Sequence, residues 1–409
     1  MIQAATRVID LTPSMPVWLC GYVAEKRLQP TEEIHDAPQA VAILLQSDED
    51  RFLWIVLDVL GVEKDRIADL KAALSKSLNV PSDQILVSAI HSHSEPDGFM
   101  DEGFLGRKLR NDWRDEVVEK VTSNLAGLDL ELTPVEAQIA SGTISGFYSK
   151  RTDPNAPFEN SFTLIRLLDG SSCKAAILNF NCHATVVGPQ NMAMTADLVG
   201  AVRKKAAEEL GVLPLTFTGA SGDISNRQFR QGNDFAELER VSNGIWNQIE
   251  SQLEFKPLDL HFKSMQPYSW KGINDLKAKR AQYQSYLEQA QAVLDDPDST
   301  FDQRKMADTE KKLSIQRLGM DQIEFDVEGK ILHFQDLTLT TFPGELASVF
   351  GLQLKKNSQT PYFLLAGYTD DYQGYFIEQE EYGHTYETKA SLVPAGETEK
   401  IVEMIGGLQ

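Results

Sequence analysis

ILVSAIHSHSEPDG, residues 85–98, is an apolar run that ends abruptly in polar residues. The aliphatic and β-branched residues at 85–90 predict a buried strand, and the proline and glycine further on predict a loop. His91 and His93 stand where the strand gives way to that loop. Ligands of open α/β sheets bind beyond the carboxyl ends of strands, and imidazole is a common zinc ligand. The stretch indicates a metal or acid–base site, with two ordinary loop histidines as the alternative.

Similar apolar runs recur along the chain, with helical patterns between several of them. Strands that alternate with helices are typical of the α/β class, so we predict a mixed β-sheet sandwiched by helices. Thr195 is the predicted N-cap of one helix and Gly211 its stop. The predicted strands are Ala40–Leu45, Phe52–Leu57, Ile85–Ile90, Phe162–Leu167, Ala175–Phe180, Leu213–Phe217, Ile331–Leu339 and Tyr362–Ala366, and the predicted helices are Lys64–Leu78, Asp112–Leu128 and Thr195–Leu210.

Residues 272–318 differ from the rest in composition. They are rich in Ala, Gln, Lys and Leu, with a polar break at DDPDST. This pattern predicts an α-helical hairpin, which we interpret as an insertion in a single catalytic domain spanning residues 1–409. We expect the hairpin to be a solvated surface insertion. The alternatives are a lid, or an arm through which two copies form a homo-oligomer.

The balance of charge limits the classes of partner. The 409 residues include 60 acidic and 39 basic ones, a formal net charge of −21, which argues against nucleic acid or an anionic membrane as partner. The three cysteines contain no CxxC pair, which fits a reducing compartment. No signal-peptide pattern and no run of transmembrane length is present. We therefore expect a cytoplasmic protein, without stable membrane insertion, that acts on a small molecule.

Polar residues follow six of the apolar runs, so one rim of a sheet is predicted to carry a convergent site. Each of these residues also has an ordinary interpretation, such as a core histidine or a carboxylate at a helix start. Because polar residues follow all six runs, a shared site is the favoured interpretation. Histidines and a carboxylate are typical ligands of catalytic zinc. Residues i and i+2 of a strand share a face, so the first two histidines can serve one site in different roles. The residues are Asp58, His91, His93, His183, Ser221, Asp223, Ser225, Glu345, Tyr368, Tyr372 and Tyr375.

Several motifs, in the same order along the chain, resemble those of the neutral (alkaline/neutral, non-lysosomal) ceramidase family. IHSHSEPDG is similar to that family's HTHSGPGG segment, GASGDISN to its GDVSPN motif, and FPGE to its glutamate motif. GYVAEKR…IHDAPQAVAIL, NFNCHATVVG, MTADLVG and YQGYFIEQEEYGHTYE are similar to further segments of the family. The matches run from about residue 21 to residue 388. The resemblance implies the fold of the family's N-terminal catalytic domain, in a short form that lacks its C-terminal immunoglobulin-like domain.

The resemblance also implies a metal centre. It predicts one zinc ion with His91, His183, Glu345 and Tyr375 as ligands. Tyr372 is the alternative tyrosine, because a shift of the alignment by one motif position would exchange the two.

Further residues carry over as catalytic. By the resemblance, His93 contacts the scissile carbonyl or relays a proton, and Asp223 belongs to the same motif as Ser225. Ser225 matches the serine that is debated as a nucleophile, but we favour zinc-activated water because no histidine lies near Ser225 in sequence. Arg151, or else its neighbour Lys150, is the candidate for a substrate-binding arginine of the family.

The departures from the family pattern concern the substrate. EPDG replaces GPGG, which puts Glu95 and Asp97 beside the predicted site. A small polar N-acyl compound, bearing an amine that either carboxylate pairs with, is therefore favoured over a long-chain sphingolipid. Tyr372 and Tyr382 are the other predicted substrate contacts.

Together these observations predict a zinc-dependent amidohydrolase, a ceramidase-like hydrolase that cleaves a C–N bond. Two alternatives remain open at this point. One is a zinc-dependent esterase or lactonase on the same site, and the other is a non-catalytic ligand-binding member of the fold.

Overall fold

The computed structural model describes residues 1–22, 24–100 and 110–409. The strands are β1 Ile2–Asp10, β2 Gln39–Ser47, β3 Asp50–Leu57, β4 Ile85–Ala89, β5 Thr133–Pro134, β6 Glu136–Thr143, β7 Ser149–Lys150, β8 Ser161–Asp169, β9 Ser172–Phe180, β10 Leu215–Phe217, β11 Ile224–Ser225, β12 Lys256–Leu258, β13 Phe262–Asp275, β14 Gln322–Phe334, β15 Leu337–Thr341, β16 Glu345–Leu346, β17 Tyr362–Ala366 and β18 Tyr375–Phe376. The α-helices are α1 Lys64–Leu78, α2 Asp112–Leu125, α3 Asp197–Leu210, α4 Phe235–Glu250, α5 Arg280–Asp295, α6 Phe301–Leu318, α7 Ser348–Asn357, α8 Tyr386–Ala390 and α9 Glu397–Leu408.

Three larger sheets form the body of the protein, in the strand orders β4-β3-β2-β1-β5, β10-β9-β8-β6-β12 and β13-β14-β15-β17. Each sheet is mixed and contains one parallel pair: β3 with β4, β9 with β10, and β15 with β17. A helix joins the two strands of each pair, because parallel neighbours need a long crossover. The predicted α/β class is confirmed, with the strands divided among several sheets.

Two apolar layers surround the first sheet. One of its faces packs against α1 and α2, through residues such as Ile55 and Val87. The opposite face packs against the second sheet, where the Trp54 and Phe217 rings lie 4.6 Å apart, and α3 and α4 join the same core. Strand β3 and the edge strand β4 are therefore covered on both faces, which explains their continuous apolar sequence.

The helical hairpin is confirmed as α5 and α6, but it begins later than residue 272. Residues 272–275 still belong to β13, which pairs with β14 in a long antiparallel ribbon, and the two helices connect the far ends of that ribbon. The predicted strand Ile331–Leu339 was wrong as a single element, because β14 ends at Phe334 and β15 begins at Leu337.

Among the described parts of the chain, none of the helices is both long enough and apolar enough to cross a bilayer.

Candidate metal centre

The three parallel strand pairs deliver polar side chains to one place. Each of these residues follows the carboxyl end of a strand, where α/β sheets bind ligands. After β4, β9 and β15 come histidines and a glutamate, and after β10 and β17 come a serine and two tyrosines. They are His91, His93, His183, Ser221, Glu345, Tyr368 and Tyr372.

His91 and His183 are buried and held by backbone carbonyls. His91 Nδ1 lies 2.7 Å from the Leu60 oxygen, and His183 Nδ1 lies 2.7 Å from the Ser221 oxygen. A carbonyl oxygen only accepts, so each Nδ1 carries the hydrogen and each Nε2 keeps a free lone pair. This is the arrangement that orients histidine as a metal ligand.

His93 is oriented in the same way, from a different carbonyl. Its Nδ1 donates to the Gly21 oxygen at 2.8 Å, and its Nε2 lies 3.3 Å from His91 Nε2. Gly21 has φ +85°, and a Cβ there would lie 2.7 Å from the His93 ring, so only glycine fits this contact. The Tyr22 ring packs 5.1 Å from the His93 ring. His93 therefore presents its basic nitrogen to the same space as the buried histidines.

Glu345 completes the cluster. Its Oε2 lies 3.0 Å from His183 Nε2 and 3.5 Å from His91 Nε2, and only 1% of the residue is exposed. The Tyr372 hydroxyl donates to the other carboxylate oxygen, Oε1. One oxygen is thus fixed by a tyrosine while the other faces two imidazole nitrogens.

The facing atoms fit a cation. His183 Nε2 and Glu345 Oε2 are buried without a hydrogen-bond partner, although they lie 3.0 Å apart. Burial first, and then the charge of Arg151, lowers the pKa of His183 to about 4, so its ring is neutral near pH 7. Two lone pairs that face each other at this distance repel unless a cation lies between them. The nitrogens of His91, His93 and His183 form a group that could hold a metal ion.

Two tyrosines neighbour Glu345, one through its side chain and one through strand pairing. Tyr372 makes the hydrogen bond to the carboxylate, whereas Tyr375 lies opposite Glu345 in the parallel pairing of β16 and β18. Burial raises the pKa of both phenols, with the charge of Glu345 as the next cause. The assignment of Tyr375 as a ligand stays a prediction.

Two further tyrosines separate into one near the histidines and one outside the cluster. The Tyr368 ring stacks on His91 at 4.2 Å, and its hydroxyl lies 3.0 Å from Ser221 Oγ. The Tyr382 hydroxyl donates to the Val393 carbonyl at 2.7 Å. Tyr368 therefore packs against His91, whereas the Tyr382 hydroxyl is hydrogen-bonded to the backbone near the C-terminus.

The GASGD turn brings a backbone close to the glutamate. A Cβ on Gly222 would lie 2.5 Å from the Glu345 carbonyl oxygen, which explains the small residue there. Asp223 accepts from the Ser348 backbone at 2.8 Å and from its hydroxyl at 3.2 Å, and burial raises the pKa of Asp223 to about 6. Asp223 therefore anchors the start of α7, just after the glutamate. Ser225 Oγ is buried and accepts from the Arg227 backbone at 3.3 Å.

Arg151 lies nearer the histidines than its neighbour. It donates from Nη1 to Glu387, and its charge acts on His183 and Glu345. Lys150 pairs with Glu378 and with other carboxylates beyond it. Of the two predicted cations, Arg151 is the one with electrostatic contact to the cluster.

Glu95 turns into the protein interior. It is fully buried, and both carboxyl oxygens lack a hydrogen-bond partner among the described residues. Burial, followed by the charges of Asp58 and Asp36, raises the pKa of Glu95 well above its usual range. Beside it, Asp58 forms a buried double hydrogen bond with Arg203 at 2.8 and 2.6 Å. Asp58 is therefore a structural residue of the core.

Asp97 is engaged with another side chain. Its carboxylate lies 3.3 Å from Arg110 Nη1, and its backbone donates to the Trp18 carbonyl at 2.9 Å. Neither Glu95 nor Asp97 is among the main charges that act on His183 and His93, which include Glu345 and, for His183, Arg151.

Sequence reasoning did not single out three residues that the fold brings to this region: Tyr22, Arg227 and Arg230. A signal for the two arginines was present. They follow the GASGDISN motif directly, in NRQFR, within a strongly acidic chain. Tyr22 gave no such signal, because its approach to His93 depends on a long-range contact.

Comparisons with known proteins identify the fold. No protein-family model and no curated protein sequence matches this chain. Several solved structures match, and two of them cover 99% or more of this chain. The neutral ceramidase from Pseudomonas aeruginosa matches with a TM-score of 0.73 and 15% sequence identity, over 100% of this chain and 74% of that one. A ceramidase complexed with C2 matches with a TM-score of 0.72 and 14% identity, over 99% of this chain and 74% of that one. The chain therefore has the neutral ceramidase fold.

Proposed function

We propose that this protein is a metal-dependent hydrolase that cleaves the amide bond of a small polar N-acyl substrate. The observation that carries the proposal is the buried pair of facing lone pairs, His183 Nε2 and Glu345 Oε2, with His91 and His93 beside it. His91, His183, Glu345 and a tyrosine would hold the ion. Zinc suits a small set of nitrogen and oxygen donors, and the similarity to ceramidases in fold agrees with this chemistry.

A zinc ion held there would act as a Lewis acid on the substrate carbonyl and on a water molecule. The chain's own residues have separate tasks. Leu60 and Ser221 keep the two ligand imidazoles in one tautomer through their carbonyls. Tyr372 fixes one oxygen of Glu345, so the other stays directed at the histidines.

His93 is the proposed acid–base group. Its Nδ1 hydrogen is bound to Gly21, so Nε2 is the atom that accepts a proton from the attacking water and returns it to the leaving nitrogen. Burial, then the charges of His91 and His183, lowers the pKa of His93 well below its usual value. The ring is therefore neutral in the resting protein and able to accept.

Water is a better candidate for the nucleophile than Ser225. A serine nucleophile needs a base within hydrogen-bond distance. Among the described residues no histidine bonds to Ser225 Oγ, whose recorded contact is with the Arg227 backbone. Asp223 is occupied by Ser348.

Turnover of matched probes tests the proposal. The purified protein is assayed with pairs of N-acyl amides and esters that share the acyl group, before and after removal of metal with a chelator. We expect amide hydrolysis to fall by roughly 10³-fold on chelation and to return with zinc, because the metal contributes several kcal/mol to catalysis. Ester hydrolysis with inert amides would favour the esterase or lactonase. Amide turnover that is indifferent to metal removal would contradict the proposal.

A further inference from the structure

Three arginines lie together on one side of the candidate metal centre: Arg151, Arg227 and Arg230. The pairing of β7 with β11 places Arg151 opposite Asp223. The chain returns after Ser225, so that Gln228 Nε2 donates to the Arg151 carbonyl at 3.0 Å and the charges of Arg151 and Arg227 act on each other. Arg230 Nη1 donates to the Thr185 carbonyl at 3.4 Å, two residues after the second ligand histidine. The chain segment that follows Ser225 therefore adds two guanidinium groups to the one already near the histidines.

The same arginines act on the aromatic residue that packs on the acid–base histidine. The charges of Arg230 and Arg151 both act on the Tyr22 hydroxyl. The Tyr22 ring lies 5.1 Å from the ring of His93. Arg151 and Arg230, with Asp197 and Arg27, therefore lie near the side of the site that Tyr22 and His93 form.

One carboxylate offsets part of this positive charge, because the charge of Glu387 acts on both Arg151 and Arg227. Arg151 pairs with Glu387, but no hydrogen bond or ion pair engages the Arg227 guanidinium among residues 1–22, 24–100 and 110–409. Arg227 is exposed, although desolvation and then the charge of Arg151 lower its pKa. An exposed arginine without an ion pair among the described residues attracts an anion, even in a chain of net charge −21.

Two further observations indicate that these arginines can take a hydrogen-bond acceptor from a ligand. Arg151 has only 9% of its side chain exposed, and its Nε is buried without a hydrogen-bond partner. Glu237, whose charge could balance Arg230, is already paired with Arg240 at 2.7 Å. A buried N–H without an acceptor costs free energy that a bound oxygen would recover.

We propose that the substrate carries an anionic group, a carboxylate or a phosphate, that binds to Arg227 and Arg151 while its amide lies at the histidines. The inference rests on the proposed function for the position of the amide. Planar guanidinium groups match two oxygens of either anion, which a lysine does not. Arg227 is the specificity-determining residue, and Arg230 adds long-range attraction. The substrate is then an N-acylated amino acid or an N-acylated amino phosphate, rather than an amine.

The test uses four amides that differ in charge: N-acetylglycine, N-acetylaminomethylphosphonate, neutral N-acetylglycinamide and cationic N-acetylethylenediamine. Binding is measured by calorimetry on zinc-loaded and metal-free protein, and hydrolysis by release of acetate. We expect the wild-type protein to favour one or both anionic probes over the neutral probe by about tenfold, the size of one charge-assisted hydrogen bond. The carboxylate and phosphonate arms identify which anion is preferred.

Variants assign that preference to the arginine. Arg227→Gln is expected to remove most of the ratio between anionic and neutral probes, and Arg227→Lys to restore part of it. Arg280→Gln, which changes the same charge in an exposed ion pair of the hairpin, is the control that leaves the ratio unchanged. Thermal unfolding verifies that each variant is folded.

The outcomes separate this inference from the proposed function. Anion binding that depends on Arg227, without hydrolysis of any probe, supports the anion site and contradicts the hydrolase. Hydrolysis without charge preference, or an unchanged preference in Arg227→Gln, overturns the anion site and leaves the hydrolase standing. Preference for the cationic probe also overturns it, and would restore the amine predicted from the sequence.

Discussion

A His183→Ala variant is expected to lose zinc from the centre and to lose turnover by about 10³-fold or more. The ring supplies the nitrogen that lies 3.0 Å from Glu345 Oε2, so the substitution removes one of the proposed ligands. Metal content by elemental analysis and kcat/KM on the best amide probe measure the two losses. His261→Ala, which removes an exposed histidine paired with Asp259, is the matched control.

His183 is fully buried, so its replacement could also impair folding. A second variant separates loss of the ligand from loss of the fold. Glu345→Gln keeps the volume of the side chain and an oxygen that can accept from Tyr372, but it removes the negative charge. The same loss of zinc and turnover is expected, with unfolding temperature close to that of the wild type. Full zinc content in both variants would place the metal elsewhere and contradict the proposed ligand set.

His93→Ala is expected to keep one zinc per chain and to lose about 10²–10⁴-fold in kcat, the usual contribution of a general acid–base group. The reason lies in the separate anchoring of this ring, through Nδ1 to Gly21, while Nε2 faces the centre. Zinc stoichiometry and kcat are measured on the same preparation, so that the two roles are compared directly.

The control for this variant removes a neighbour without touching the imidazole. Tyr22→Phe deletes only the hydroxyl that donates to the Val187 carbonyl at 3.0 Å, and it is expected to cost far less than His93→Ala. If His93→Ala loses zinc as completely as His183→Ala, then His93 is itself a ligand, as the geometry of the three histidines also allows.

Much of the secondary structure could be predicted from local sequence patterns. Residues 64–78 were predicted and found as α1, and Gly211, with φ +72°, ends α3 as predicted. Apolar runs located most strands for the same reason, since burial and periodicity are properties of short segments. The division of strands among three sheets was not predictable, because it depends on pairing between residues far apart in the chain.

Side-chain direction limited the prediction of the site. The rule that residues i and i+2 share a face applies within a strand, but β4 ends at Ala89 and His91 has φ +61°. The chain changes direction there, so its two histidines converge while Glu95 turns into the core beside Asp58. The sequence could not reveal this turn, because histidine rarely adopts a left-handed conformation.

The location of the metal tests the central claim most directly. Crystals of the zinc-loaded protein are measured at the zinc absorption edge, so that the anomalous signal marks the ion without assumptions about its ligands. We expect one zinc position, within ~2.0–2.2 Å of His91 Nε2, His183 Nε2 and a Glu345 oxygen, with His93 free of the ion. A protein that retains no zinc, or an ion bound away from these three residues, would contradict it.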